Sequence, residues 1–241
     1  MSSNPSFQFC KDFEVRSYQV DPDGKLSLTA LSNLFQEIAW RHADSADFGR
    51  NLQEQHLSWI MARIDIKCKD LPSWGDSIKV YTAGRGQDKL FAFREFSITN
   101  LEGHILAQGM SSWVLMNVQT KRIFKPENVL PAELFNPQEN PEWQPDKVKL
   151  KGVFLKSEKL KVRFSDLDLN NHVNNTSYIR WVENILRENT CDTPRLLINY
   201  LAECVMGDEL DINLFENGDD FIVEGKVEEK QVFLAQANKG I

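Results

Sequence analysis

One order of elements occurs twice along the chain, and a duplication of that kind limits the fold more than any single residue does. Residues 13–20 alternate as a strand does. Leu28, Leu31, Leu34, Phe35, Ile38 and Ala39 then recur at helical spacing behind Ser27, a residue suited to an N-cap. Four strand-like segments follow, at about 57–69, 76–84, 90–99 and 104–117, with turn signals at 72–76, 84–86 and 100–103. The same order returns as a strand at 158–164, a helix at about 175–188, and strands near 195–205, 208–216, 219–227 and 230–238. Between the two runs, Pro126, Pro131, Pro137 and Pro141 punctuate a polar stretch with little periodicity. A structureless connection of that length inside one compact domain is uncommon, so it reads as a crossing between two. The expected organisation is a first domain over 1–118, a crossing over 119–157 and a second domain over 158–241.

The repeat is visible in residues as well as in order. Val15-Arg16 overlays Val162-Arg163, and without gaps Asp21 falls on Asp168, Asp23 on Asn170 and Lys25 on His172. Further on, Trp74-Gly75-Asp76 overlays Met206-Gly207-Asp208. A long helix followed by an antiparallel meander is the order of the hotdog fold, in which a curled sheet wraps one central helix. The expected class is therefore α+β: two tandem hotdog units, each helix buried along one broad face, with their sheets paired in one chain.

The two copies are chemically unequal. Residues 165–175 hold two Asp, four Asn and a His, with apolar side chains only at Leu167, Leu169 and Val173. Such a cluster resists burial, since each unpaired amide or carboxylate would cost a few kcal/mol. Helix capping needs only one or two of these groups, and Asn174 and Asn175 are placed to provide it. The rest sit at a strand-to-helix junction, where a scaffold can present reactive side chains. His172 can act as a base or donor near neutral pH. If the chain is extended there, Asn170 and Asp168 share its side of the strand. Asn170 can then donate to a carbonyl, and Asp168 can orient a neighbour or bond the backbone of the turn.

Composition narrows the partners. At 241 residues with 41% apolar and 26% charged side chains, the chain is long enough for a substantial core. The net charge of −7 argues against a general binder of nucleic acid or anionic membrane. Cys10, Cys68, Cys191 and Cys204 show no metal-ligand spacing, which points to reduced thiols, a cytoplasmic setting and no metal. Residues 1–6 have neither a basic nor an apolar character suited to a signal peptide. No apolar run approaches the roughly 18 residues of a membrane span.

Trp59-Ile60-Met61-Ala62-Arg63, residues 71–76, residues 111–117, the 168–178 segment and Ala202-Glu203-Cys204 together resemble the acyl-acyl carrier protein thioesterases of bacteria and plant plastids. The resemblance spans nearly the whole chain in family order. No transit peptide is visible, so a bacterial member is expected. It implies a double-hotdog hydrolase that releases free fatty acid from acyl carrier protein, without a cofactor, using Asp168, Asn170, His172 and Glu203. Glu203 interrupts an apolar run that reads as a strand, which suits a carboxylate facing a cavity. Cys204 is the rival, as the nucleophile of a Cys-His-Asn arrangement passing through an acyl-enzyme. Neighbours on a strand face opposite ways, so Glu203 and Cys204 cannot both serve, and Glu203 with direct attack by water is the reading adopted.

The resemblance also places the acyl chain in the first hotdog, which makes the helix at 28–44 and the strand at 57–66 its lining. Acyl carrier protein is acidic, so an acidic chain needs a local basic surface to meet it. Lys147, Lys149 and Lys151 alternate with Val148 and Leu150, and Lys159 and Lys161 with Leu160 and Val162. Lys149, Lys159 and Lys161 are the candidate docking residues. An acyl-coenzyme A thioesterase, a hydroxyacyl-thioester dehydratase of the same fold and a non-catalytic acyl-binding module remain the alternatives, and association into a homodimer stays open.

Overall fold

The computed structural model describes residues 7–45, 52, 54–129, 143–188 and 193–239. The chain divides into two compact units, residues 1–64 with 68–145, and residues 65–67 with 146–241. The first contains β1 (Phe9–Glu14), a 3-10 turn (Ser17–Gln19), α1 (Leu28–Ser45), β2 (Leu57–Cys68), β3 (Ser77–Asp88), β4 (Phe91–Thr99), β5 (Ile105–Asn117) and the short β6 (Ile123–Phe124). Its strands lie in the order β1-β3-β4-β5-β2, with β6 on β5. The second contains β7 (Val153–Lys161), a 3-10 turn (Phe164–Asp166), α2 (Asn175–Arg187), β8 (Arg195–Tyr200), β9 (Glu209–Asn217), β10 (Asp220–Val227) and β11 (Lys230–Asn238). Its order is β7-β9-β10-β11-β8. Numbered from each unit's own first strand, both sheets read 1-3-4-5-2, so the duplication seen in the sequence is a duplication of topology.

Four segments depart from the expectation. β3 runs on to Asp88 through the turn expected at 84–86, where the β3–β4 ladder instead shifts register between Gly84 and Gln87. The first strand covers Phe9–Glu14 rather than 13–20, because residues 17–19 tighten into a 3-10 turn whose Gln19 Oε1 accepts the Arg16 N–H at 2.9 Å. β7 begins at Val153, five residues before the expected 158 and inside the stretch read as a crossing. β8 stops at Tyr200, and residues 201–208 form no strand. Pro131, Pro137, Pro141 and Cys191 lie outside the described residues.

The helices explain the apolar pattern. Ser27 Oγ accepts the Ala30 N–H at 3.1 Å, as an N-cap should. Leu28, Leu31, Leu34, Phe35 and Ile38 then bury one face of α1. Phe35 stacks on Phe96 of β4 at 4.7 Å, and Gly109, opposite Phe96 in the β4–β5 ladder, makes room for it. A Cβ there would meet the Phe35 ring at 2.6 Å. In the second unit Tyr178 is the hub, with ring centroids 5.0 Å from Trp181, 5.6 Å from Tyr200 and 5.5 Å from Phe233. Each large apolar side chain so buried contributes about 1.5–3 kcal/mol. On the other face of β8, Asn199 Oδ1 accepts the Val148 N–H at 2.8 Å and Asn199 Nδ2 donates to the Asp146 carbonyl at 3.1 Å. Val148 thereby packs with Leu197, Ile222 and Leu234, while Lys147 and Lys149 stay exposed.

One part-buried charge has no carboxylate partner among the described residues. Arg94 of β4 donates from Nη1 to His42 Nδ1 at 3.0 Å and to Thr82 Oγ1 at 3.2 Å. Burial lowers the Arg94 pKa to about 10. Burial, reinforced by the Arg94 charge, lowers that of His42 to about 4. Neutral His42 is therefore the form that fits the fold, and it accepts from Arg94. An unfolded histidine binds a proton near 6.5 while the folded one resists until about 4, so the unfolded state holds more protons across that window. Stability from this group is complete above pH 6.5 and falls as the pH drops toward 4. His42→Gln, which keeps an acceptor but cannot titrate, is expected to flatten this part of the profile of melting temperature against pH.

Candidate active site

The polar cluster folds into a tight turn rather than an extended strand. Leu167 and Val173 bridge antiparallel across it, and the Asp168 N–H donates to the His172 carbonyl at 2.8 Å. Asp168 Oδ1 accepts two backbone N–H groups, from Asn170 at 2.8 Å and from His172 at 3.2 Å. Asn171 takes φ of +60°, a left-handed conformation that Asn tolerates better than most residues, and its N–H closes on the Asp168 carbonyl at 3.1 Å. The shared side expected of Asp168, Asn170 and His172 is thus corrected, because period-two geometry needs an extended backbone. Asp168 turns inward to hold the loop. The Asn170 side chain is exposed and its amide makes no hydrogen bond among the described residues.

The turn hands over to α2 at Asn174, whose Oδ1 accepts from Thr176 N and Thr176 Oγ1, both at 3.1 Å. Asn175 is the first helical residue, and its carbonyl accepts the Tyr200 hydroxyl at 3.1 Å.

Glu203 arrives from the irregular segment after β8. That segment is laid against the turn by the Val173 N–H, which donates to the Cys204 carbonyl at 3.0 Å, and by the Gly207 N–H, which donates to the Val162 carbonyl at 3.1 Å. Glu203 Oε2 lies 3.8 Å from His172 Nε2, with side chains 43% and 40% exposed. The expected cavity-facing strand residue is instead an accessible loop carboxylate beside an accessible imidazole. Cys204 points the other way and is fully buried. Burial raises its thiol pKa, and the Asp208 charge adds to that rise, while a hydrogen bond with Tyr178 and the Lys230 charge oppose it. Glu203 and Cys204 do face opposite directions, though on loop rather than strand.

The first unit contains the same turn, bond for bond. Asp21 Oδ1 accepts the N–H groups of Asp23 at 3.0 Å and Lys25 at 3.1 Å, and the Asp21 N–H donates to the Lys25 carbonyl at 2.8 Å. Gly24, at φ of +76°, stands where Asn171 does, and Val20 bridges Leu26. The Leu26 N–H donates to the Pro72 carbonyl at 2.8 Å, as that of Val173 does to Cys204. Where the second unit sets His172 against Glu203, the first has the ion pair Lys25 Nζ–Asp70 Oδ1 at 3.5 Å. One scaffold therefore carries a structural ion pair in one copy and an imidazole, a carboxylate and an amide in the other.

Sequence comparison supplies the family. The acyl-ACP thioesterase N-terminal domain matches residues 6–132 and the acyl-ACP thioesterase C-terminal domain matches residues 154–236. The chain belongs to this family. It is 30% identical over 221 residues to oleoyl-acyl carrier protein thioesterase 1, chloroplastic, of Arabidopsis thaliana, covering 83% of this chain and 61% of that protein. The chain thus spans about three fifths of the length of that relative. An acyl-ACP thioesterase structure from Bacteroides thetaiotaomicron shares the fold, with a TM-score of 0.86 at 24% identity and 100% of each chain covered. The 12:0-ACP thioesterase of Umbellularia californica superposes with a TM-score of 0.83 at 25% identity, covering 95% of this chain and 96% of that one.

The remaining charged features fall elsewhere. Lys149 is exposed, whereas Lys159 pairs with Asp211 at 2.6 Å and Lys161 with Glu209 at 3.5 Å across the β7–β9 ladder. An open groove of about 870 Å³ beside β1 and α1 is lined by Lys11, Glu14, Arg16, Glu37 and Arg41 and contains none of the candidate site residues. No helix among the described residues is long and apolar enough to cross a membrane. Sequence reasoning passed over Asp166, which is 5% exposed, and its partner Arg180. Aligning the two junctions offers the signal, because the first copy has Gln19 and Asn33 there.

Three substitutions at two positions separate the roles. Asp168→Asn keeps an acceptor for both N–H groups and is expected to hold kcat within about threefold, while Asp168→Ala should lower it at least ~10-fold. Cys204→Ala should keep most activity; complete loss without unfolding would make Cys204 the nucleophile.

Proposed function

We propose that the protein hydrolyses the thioester of fatty acyl-acyl carrier protein, releasing free fatty acid and the carrier thiol. The observation that carries this reading is the approach of His172 Nε2 to Glu203 Oε2 at 3.8 Å on an exposed, rigidly bonded turn. That separation is longer than a hydrogen bond, and such contacts commonly tighten only when substrate is bound. Glu203 takes a proton from the attacking water as its oxygen bonds to the acyl carbon. The Asn170 amide, which makes no hydrogen bond among the described residues, donates to the carbonyl oxygen as negative charge develops on it. As the carbon–sulfur bond breaks, the proton passes through His172 to the leaving thiolate. Asp168 keeps Asn170 and His172 in place by fixing the backbone N–H groups of both.

The acidic carrier protein meets a basic surface in this reading. Lys149 is its main element, since Lys159 and Lys161 already have carboxylate partners on β9. We place the reaction in a bacterial cytoplasm, a setting that suits the free thiols of Cys10, Cys68 and Cys204.

Purified protein assayed with acyl groups on carrier protein and on coenzyme A should release acid far faster from the carrier. Glu203→Gln should abolish that release, by at least ~100-fold in kcat, without lowering the melting temperature. Equal turnover of both thioesters would instead favour a coenzyme A thioesterase. Lys149→Glu is expected to raise the KM for acyl carrier protein more than Lys159→Glu, with the KM for an acyl-pantetheine unchanged.

A further inference from the structure

The buried carboxylate of Asp166 is tied to α2 in a way the first unit does not share. Its Oδ2 accepts the Arg163 N–H at 2.7 Å, capping the 3-10 turn. Its backbone carbonyl accepts the Asn174 N–H at 2.8 Å and the Ser177 hydroxyl at 3.0 Å. Its Oδ1 accepts from Nη2 of Arg180, which also approaches Ser177 Oγ at 3.4 Å. Asp166 and Asn174 flank the turn that presents Asn170 and His172, so this network clamps both of its ends to the first two turns of the helix.

The first unit serves as an internal control. Gln19 takes the place of Asp166 and Asn33 that of Arg180. Gln19 Oε1 still accepts the Arg16 N–H at 2.9 Å, and the Ser27 N–H still donates to the Gln19 carbonyl at 3.0 Å. Gln19 and Asn33 are uncharged, so the turn around Asp21 forms there without the counterpart of the Asp166–Arg180 pair. Folding the junction therefore requires an acceptor at this position, not a charge. Asp166 is buried while Arg180 is 38% exposed, and a pair so placed adds little net stability once desolvation of the carboxylate and solvent screening of the guanidinium are counted. Its presence only in the copy with the imidazole and the amide asks for a reason connected to them.

We infer that Asp166 and Arg180 are positioning residues for the site: their ion pair holds the 168–172 turn rigid against α2, so that His172 stays in register with Glu203. Arg180 fixes the Asp166 carboxylate, Asp166 fixes the turn's entry and, through its carbonyl, the turn's exit at Asn174. A displacement of the order of 1 Å at a catalytic group can cost ~100-fold in rate, so a clamp of this kind has a measurable effect.

The inference rests on the proposed roles of His172 and Glu203, and the test separates the two. Asp166→Gln, Arg180→Asn and the double variant copy the first unit, whose turn is intact, so they should fold. Each is expected to lower kcat about 10-fold or more with KM for acyl carrier protein changed less than twofold, and the double variant should be no worse than the poorer single one. Nuclear magnetic resonance of the imidazole of His172, assigned by its loss in His172→Gln, should broaden or split in these variants while those of His42, His56 and His104 do not. Reduced melting temperature with unchanged kcat and an unchanged His172 resonance would overturn the inference. Full activity of His172→Gln would overturn the site assignment instead, while the resonance would still report whether the clamp orders the turn.

Discussion

A single carboxylate oxygen that accepts two backbone N–H groups governs how each half of this molecule is assembled. Asp21 and Asp168 both do it, and in both units the result is a closed turn that carries the chain from its first strand region into its central helix. Charge-assisted bonds to a short side chain suit the task, because they satisfy donors that no ladder or helix could reach. The residue between the two donors must enter left-handed space, which Gly24 and Asn171 each manage. With the turn set, each helix starts at a fixed point over its sheet. The aromatic contacts of Phe35 with Phe96, and of Tyr178 with Phe233, follow from that placement.

The duplicated turn tolerates different side chains in its two copies. A junction that folds with Asp23, Gly24 and Lys25 also folds with Asn170, Asn171 and His172, since backbone groups supply the closing bonds in both. The side chains that project from it are consequently open to change. In the first unit they make an ion pair to Asp70; in the second they leave an amide that makes no hydrogen bond among the described residues and an imidazole beside Glu203. Asn170, His172 and Glu203 are accessible while the residues beneath the turn are not. Asp166, Cys204 and Tyr178 are buried, and burial raises the pKa of the Tyr178 hydroxyl.

Charge is handled differently on the surface and inside. Lysines on β7 meet carboxylates on β9 across the ladder, and such exposed pairs contribute little to stability while they neutralise part of the basic stripe. Arg94 is the opposite case, a part-buried guanidinium of the first unit that donates to a neutral imidazole and a hydroxyl. That arrangement depends on His42 remaining unprotonated, which couples the first unit's stability to acidic pH.

Periodicity alone determined the two helices and most strands of the chain. A helix needs only a recurring apolar face and a cap, and Ser27 with Leu28, Leu31, Leu34 and Phe35 has both. The repeated sequence of elements showed the duplication but not the order 1-3-4-5-2, which depends on pairings between strands distant in the chain, and the resemblance of five separate stretches pointed to the family. The limits of β1, β7 and β8 were not legible, because 3-10 turns and loop hydrogen bonds end strands without an apolar signature. The site was half legible. Dense Asn, Asp and His residues mark a place that cannot be core, but spacing suggested an extended segment where long-range closure makes a turn. Only the tertiary structure brought Glu203 to His172, since the Val173–Cys204 and Val162–Gly207 bonds that join them link residues far apart in sequence. It alone, too, distinguished Asp168, which holds the turn, from Asp166, which ties that turn to the helix. Their side chains are chemically the same, and what differs is which donors the fold brings to each.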